Sequence, residues 1–248
     1  MREFVSILLA AGQGVRMESP LPKVLHPVKG RPLIKYALDP ILQVRPLRNI
    51  VVVGYGRGEV IRVLEGYPVE FAVQDVQKGT GHAVSEAGRL LADYTGTVLV
   101  LPGDVPLLTV STLKKLMKFH MDGSYAATVL TGDVENPFGY GRVVRDKQGD
   151  LVKIVEERDA GVSEKRLHEI NSGIYCFEYP PLREALAELK NENDQGEYYL
   201  TDTIAILRAK GLRIGVLKGN SEEILGVNTV LELKAVEKKI MKSPREEN

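Results

Sequence analysis

The residues best suited to chemistry come early in the chain. Leu8-Leu9-Ala10-Ala11-Gly12-Gln13-Gly14-Val15-Arg16-Met17 leaves an apolar run and enters a turn carrying two glycines. Glycine lets backbone approach a ligand closely, and a row of exposed amide N–H groups suits a triphosphate. Arg16 and Lys23 follow in the same loop. Arginine forks two phosphate oxygens and lysine supplies a compact point charge, while Pro20 and Pro22 stiffen the approach to Lys23. Two glycines and one Arg would equally fit an ordinary turn with solvated cations, but the run Pro22-Lys23-Val24-Leu25-His26-Pro27 favours function. The spacing matches neither G-x-G-x-x-G nor G-x-x-x-x-G-K-[ST], because Met17 stands where the dinucleotide motif wants its third glycine. A hydride-transfer cofactor is disfavoured.

Two further residues fall at the ends of expected strands. Gln74 closes the third parallel strand, where ligands of doubly wound sheets bind, and its amide offers both a donor and an acceptor to a base edge. Without that setting, it reads as a surface glutamine beside a helix-opening Gly79-Thr80-Gly81. Asp104 follows the next strand and is set by Gly103 and Pro106. Its bland reading is a turn-capping Asp, but the strand-end position favours function.

The elements that must position these residues alternate. Strands are expected at Val5 to Ala10, Asn49 to Val53, Val69 to Val73 and Thr97 to Leu101, with helices at Ile34 to Leu42, Glu59 to Leu64 and Ala83 to Leu91 between them. That alternation is the pattern of βαβ units on a largely parallel sheet. Thr109 or Ser111 suits the cap of a helix ending near His120, and Tyr125 to Thr131 returns as a strand. Beyond Gly139 the texture changes. Arg142 to Arg145 and Leu151 to Glu156 flank an Asp146-Lys147-Gln148-Gly149 turn, which predicts an antiparallel hairpin. A strand from Ile170 to Phe177, a helix after Pro181, a helix from Tyr199 to Lys210 and a strand from Leu212 to Leu217 follow. A last helix, Thr229 to Met241, leads to a charged tail, Lys242 to Asn248. The expected fold is α/β, with a mostly parallel mixed sheet flanked by helices and a small antiparallel part. We expect one domain over residues 1–248: a nucleotide-binding half (1–131), a sugar-binding part (132–228), and a C-terminal helix and tail (229–248).

Composition narrows the partners. The 248 residues carry 33 Lys plus Arg against 33 Asp plus Glu, so no net field draws the chain to nucleic acid or an anionic membrane. Local groups must hold any anionic ligand. Cys176 is the single cysteine, which excludes an internal disulfide framework and fits a cytoplasmic protein. The apolar run Phe4 to Ala11 is too short to span a bilayer.

Taken with the phosphate loop, several ordered landmarks carry a resemblance: Gln74 with Gly79-Thr80-Gly81-His82-Ala83, Gly103-Asp104-Val105-Pro106-Leu107, Gly139-Tyr140-Gly141-Arg142, Asn171-Ser172-Gly173, Gly196-Glu197-Tyr198-Tyr199-Leu200-Thr201-Asp202 and Gly226-Val227-Asn228. Over nearly its whole length the chain resembles the sugar-nucleotide pyrophosphorylase superfamily. Within it, the match is to the uridyltransferase domain of the bifunctional N-acetylglucosamine-1-phosphate uridyltransferases/glucosamine-1-phosphate acetyltransferases. That resemblance implies a Rossmann-like (GT-A-like) fold, UTP and N-acetylglucosamine 1-phosphate as substrates, and Mg2+ as cofactor. It gives the base and nucleotide to Gln74, Gly79 and Thr80 with the backbone of Leu9, Ala10, Ala11 and Gly12, and the metal to Asp104 and Asn228. The sugar falls to Gly141, Glu156, Asn171, Tyr199 and Thr201. For Asn228, a helix N-cap before Thr229 remains an alternative that can coexist with the metal role. His82 reads as a first-turn helix residue with no catalytic role, and Glu157, Arg158 and Asp159 read as a solvated charged turn.

The implied reaction is in-line attack of the sugar phosphate on the α-phosphorus of UTP, catalysed by positioning and charge stabilisation through Arg16, Lys23, Asp104, the metal and the loop amides. Glucose 1-phosphate or another nucleotide is the nearest alternative, and a silent nucleotide-binding subunit a more distant one. The sequence departs from the bifunctional pattern in two places. No hexapeptide repeat of a β-helix acetyltransferase domain is present, so neither acetyl transfer nor the corresponding trimer is expected, and oligomeric state is left open. Pro102 also precedes Gly103-Asp104 where relatives often carry an aromatic residue.

Overall fold

The computed structural model describes residues 3–242. Strand β1 (Phe4–Ala10) leads through two 3-10 turns, Val15–Met17 and Lys23–Leu25, and a small hairpin of β2 (Pro27–Val28) and β3 (Arg31–Pro32) to helix α1 (Leu33–Gln43). Then come β4 (Arg48–Val53), α2 (Arg57–Val63), β5 (Glu70–Val73), α3 (Thr80–Gly88), β6 (Thr97–Pro102), α4 (Val110–Gly123) and β7 (Ala127–Asp133). The remainder is β8 (Arg142–Arg145), β9 (Leu151–Val155), β10 (Glu169–Glu178), α5 (Tyr179–Ala187), α6 (Asp202–Ala209), β11 (Ile214–Lys218), α7 (Ser221–Ile224) and α8 (Val230–Lys242).

The main sheet runs β11-β7-β10-β6-β1-β4-β5, with β8 and β9 branching from β10. β1 pairs in parallel with β4 on one side and β6 on the other. The chain therefore reverses its direction of winding at β1, and a crevice opens there at the carboxyl ends of the strands. β10 is the antiparallel member, set between β6 and β7. The parallel strands read as unbroken apolar runs because both faces are covered. Leu8, Val51 and Leu99 pack with Ile34, Leu38 and Leu113 on one face, while Ile7, Val52 and Val100 pack with Ala83, Val84 and Ala87 on the other. Each such side chain contributes about 1.5–3 kcal/mol on full burial. A third cluster of Met17, Val28, Leu33, Tyr36, Val227 and Val236 ties the phosphate loop to α8.

Most expected elements are present, with shifts that have local causes. Thr109 caps α4 by accepting the Thr112 N–H at 3.2 Å, and the helix continues past His120 to Gly123. The helix expected after Pro181 begins at Tyr179, since a first turn tolerates Pro180 and Pro181. The helix expected from Tyr199 begins at Asp202, because the Tyr198 backbone is committed to Lys78 O and Gly81 N, both at 2.8 Å. The turn at Asp146 and Gly149 closes as expected, with Gly149 at φ +89. Residue 131 lies inside β7, and β10 and β11 pair back into the main sheet, so strands from both parts share one sheet. The charged tail beyond residue 242 lies outside the described residues. Among the described residues no helix is long and apolar enough to cross a membrane.

Candidate functional site

The loop after β1 is held tightly. The Gly103 and Tyr55 N–H groups donate to Leu9 O (2.9 Å) and Ala11 O (3.0 Å), fixing the strand end. Gly14 sits at φ +73, and a Cβ there would stand 2.4 Å from Lys23 Cβ. Only glycine meets both demands. Met17 is buried in the third cluster while its neighbour Arg16 is exposed, so one apolar anchor fixes where the guanidinium emerges.

Lys23, Arg16, Asp104 and Asn228 converge. The Lys23 ammonium is ion-paired with Asp104 Oδ2 and donates to Asn228 Oδ1 at 3.1 Å. Arg16 Nη2 donates to the same oxygen at 3.0 Å. Asp104 is only 6% exposed, so this pair is weakly screened compared with a surface pair. Asn228 is placed by the Val227 N–H, which donates to Asp104 O at 2.9 Å. Asn228 is not the cap of α8. Thr229 Oγ1 accepts the Glu232 N–H at 3.2 Å, and Glu232 Oε2 accepts the N–H groups of Asn228 and Thr229 at 2.6 and 2.9 Å. This capping box relieves the Asn228 side chain of capping, so its Oδ1 faces Lys23 and Arg16 while its Nδ2 donates to Gly226 O at 3.4 Å.

Two cavities meet at this point, sharing Leu9, Thr80, Pro102 and Asp104 as a common wall. The larger, about 250 Å³, is lined by every residue assigned to the nucleotide: Leu9, Ala10, Ala11, Gly12, Gln74, Gly79 and Thr80. Gln74 is 3% exposed. Its Nε2 donates to Gly79 O (3.0 Å) and to His82 Nδ1 (2.9 Å), so both amide hydrogens are spent within the protein. The base edge would meet Oε1, an acceptor, rather than the donor and acceptor pair that the sequence suggests. His82 Nε2 in turn lies 3.2 Å from Glu86 Oε1. The chain Glu86, His82, Gln74 selects the His82 tautomer with its proton on Nε2 and turns Gln74 one way round. His82 therefore has a positioning role that its place in a helix first turn conceals. Its i,i+4 spacing to Glu86 was the available signal.

The smaller cavity, about 190 Å³, is lined by Gly141, Glu156, Asn171 and Thr201. Burial pushes the Glu156 carboxyl above its ordinary range, against a hydrogen bond from Thr201 Oγ1 at 3.0 Å. Tyr199 is not brought into this cavity. It lines a separate recess on the far side of Glu156 with Asp159 and Asp202, and its hydroxyl accepts from Gln195 at 2.7 Å. Glu157 is no solvated turn residue. It accepts from the buried Arg142 (2.6 Å) and from Gly139 N–H (3.0 Å), which fixes the Gly139–Gly141 wall. Burial works to raise its carboxyl, but these donors outweigh it and hold it low.

The chain matches the MobA-like NTP transferase domain over residues 6–200. It belongs to that family. It is 49% identical to the bifunctional protein GlmU of Caldanaerobacter subterraneus subsp. tengcongensis over 96% of this chain and 52% of that protein. It is 48% identical to that of Shouchella clausii over 98% of this chain and 53% of that protein. The chain thus spans about half the length of the curated relatives it matches. Its fold is shared with a UDP-glucose pyrophosphorylase solved with UDP-glucose, at TM-score 0.76 and 18% identity, covering 97% of this chain and 99% of that one.

Asp104 Oδ2 and Asn228 Oδ1, which share the Lys23 ammonium, could hold a divalent cation. Mg2+ commonly takes one or two protein oxygens and leaves the rest of its shell to water and phosphate. The Lys23 ammonium lies against both oxygens, so the pair already accommodates positive charge. Among the described residues no cluster of three or more His, Cys, Asp or Glu is placed to hold a metal.

Proposed function

We propose that the protein transfers a uridylyl group from UTP to N-acetylglucosamine 1-phosphate, giving UDP-N-acetylglucosamine and pyrophosphate. The observation that carries this reading is the meeting of two cavities at Asp104, with Lys23 on the wall of one, Asn228 on the wall of the other, and Arg16 bonded to Asn228 from outside both. A triphosphate in one cavity and a sugar phosphate in the other would present their phosphates to the same cations. The similarity to GlmU proteins supports the choice of substrates, and residues 1–131 and 132–228 supply the nucleotide and sugar parts respectively.

In the step itself, a phosphate oxygen of the sugar 1-phosphate forms a bond to the α-phosphorus of UTP. The bond from that phosphorus to the bridging oxygen breaks, and pyrophosphate leaves with the electron pair. The nucleophile is ionised at neutral pH, so no general base is required. Arg16 and Lys23 hold and neutralise phosphate oxygens, and the amides of the Gly12 and Gly14 turn orient the triphosphate. Gln74 Oε1 accepts from a ring N–H of the base. Asp104 and Asn228 would hold Mg2+, which supplies charge neutralisation to phosphates that otherwise repel each other. A cytoplasmic setting for the reaction is supported by the single cysteine, Cys176, which is free and buried.

The test is pyrophosphate release with each of the four nucleoside triphosphates crossed with N-acetylglucosamine, glucosamine and glucose 1-phosphates, with and without Mg2+. UTP with N-acetylglucosamine 1-phosphate is expected to be fastest, and only with the metal. Preference for another triphosphate removes the base assignment, and preference for glucose 1-phosphate removes the sugar assignment.

A further inference from the structure

The smaller cavity contains a polar group that the reaction as described does not use. Tyr175, on β10, is 1% exposed, and its hydroxyl has no hydrogen-bond partner among the described residues. Buried hydroxyls are almost always paired, because an unpaired one forfeits its bonds to water. The ring is fixed rather than adrift. It stacks on Phe177 with centroids 5.3 Å apart, and its backbone pairs with Val100 and Val129.

The surroundings point to a ligand. Tyr175 lines the cavity together with Glu156, Asn171 and Thr201; Asn171 is the side chain near enough to engage its hydroxyl, though no hydrogen bond of normal geometry joins them, and the charges of Glu156 and Asp202 also act on it. The register of β10 against β7 shifts between Asn171 and Tyr175. The shift is held by Ser172 Oγ, which donates to Leu130 O at 2.6 Å and accepts the Ile174 N–H at 3.1 Å. Such bulges re-aim side chains beside binding sites. Asn171 Oδ1 is taken by the Gly173 N–H at 3.1 Å and Glu156 Oε1 by Thr201. Among the described residues, the Asn171 amide hydrogens, the second Glu156 oxygen and the Tyr175 hydroxyl have no hydrogen bond of normal geometry, and the first and last of these lie close enough to share one ligand group.

We propose that the Tyr175 hydroxyl is a sugar-recognition group, hydrogen-bonding a hydroxyl or amide of the sugar ring that fills this cavity. The inference rests on the proposed function, from which its ligand class is taken. It assigns to Tyr175 part of the site's affinity for the sugar and none of its affinity for the nucleotide.

The experiment compares wild-type protein with Tyr175→Phe, which keeps the ring and its stacking. The KM for N-acetylglucosamine 1-phosphate is expected to rise about tenfold, the equivalent of about 1.4 kcal/mol for one hydrogen bond, with the KM for UTP unchanged. The Tm of the ligand-free protein is expected to hold or rise, since the variant loses a hydroxyl that has no partner there. A lower Tm with an unchanged sugar KM would assign the hydroxyl to a structural water or to Asn171 and overturn the proposal, as would equal rises in both KM values. Wild-type protein that turns over no sugar 1-phosphate would instead remove the proposed function, and this inference with it.

Discussion

The ammonium of Lys23, which lines the larger cavity, is ion-paired with the carboxylate of Asp104 on the wall that the two cavities share. A lysine in that place satisfies the acid when no substrate is bound. It is also within reach of phosphate oxygens that arrive later, so one cation serves to keep the site ordered and then to bind. The arrangement depends on Asn228 Oδ1, which receives both Lys23 and Arg16, and on the Asp104 carbonyl, which receives the Val227 N–H at 2.9 Å.

Replacing Asp104 with Asn keeps the shape and removes the charge. Turnover at saturating Mg2+ is expected to fall on the order of 10² to 10³-fold, the scale of losing one principal charge-stabilising group. Steady-state kinetics over a Mg2+ titration check this. Near-normal turnover of the variant would remove Asp104 from the metal site.

Gly14→Ala tests the loop. The alanine must adopt φ +73 and place its Cβ 2.4 Å from Lys23 Cβ. The left-handed conformation costs about 1–2 kcal/mol, which lowers Tm by about 2–8 °C in a chain of this size. Displacement of Lys23 adds a loss in kcat/KM on the order of a hundredfold. Calorimetry and kinetics on one preparation separate the two effects.

His82→Ala tests the relay to Gln74. With no acceptor at 2.9 Å, the Gln74 amide gains freedom to turn, and the fixed acceptor facing the base is lost. The KM for UTP is expected to rise about five- to tenfold, the range of one hydrogen bond. Discrimination against CTP, whose ring nitrogen at the corresponding position is an acceptor, is expected to narrow, with the sugar KM unchanged. Competition between UTP and CTP at fixed sugar phosphate gives the answer.

These residues differ in how plainly the sequence shows them. Asp104, Gln74 and the loop residues stand directly after apolar runs, so the strand ends alone bring them together. The antiparallel course of β10 is not legible, because a run buried on both faces carries no mark of direction. Tyr199 goes to the far side of Glu156 because Thr80 Oγ1 accepts the Leu200 N–H at 3.0 Å and Tyr198 is bonded to Gly81. These contacts span more than a hundred residues and leave no local pattern. The cap at Thr229 was readable, since Thr229 and Glu232 have capping-box spacing. Glu157 was not, because its partner Arg142 looks like any strand-end cation until burial removes the solvent around it.

Glu156→Gln separates binding from stability through pH. The Glu156 carboxyl is raised by burial above the ordinary value of 4.5, so the folded protein holds this proton more tightly than the unfolded chain. Relative to its neutral form, the ionised carboxylate therefore costs stability. The favourable contribution is complete below the unfolded pKa and is lost as pH rises through the raised folded value. Glutamine stays neutral and keeps an oxygen for Thr201 Oγ1, now 3.0 Å from Glu156 Oε1. The variant is expected to match wild-type Tm in acid, to exceed it by a growing margin as pH rises from the ordinary carboxylate range to the raised folded value, and to keep a constant margin above that, while its KM for the sugar phosphate rises at every pH. Paired melting curves across pH check the sign. A variant less stable than wild-type at neutral pH would mean that the carboxylate is stabilised by partners in the fold.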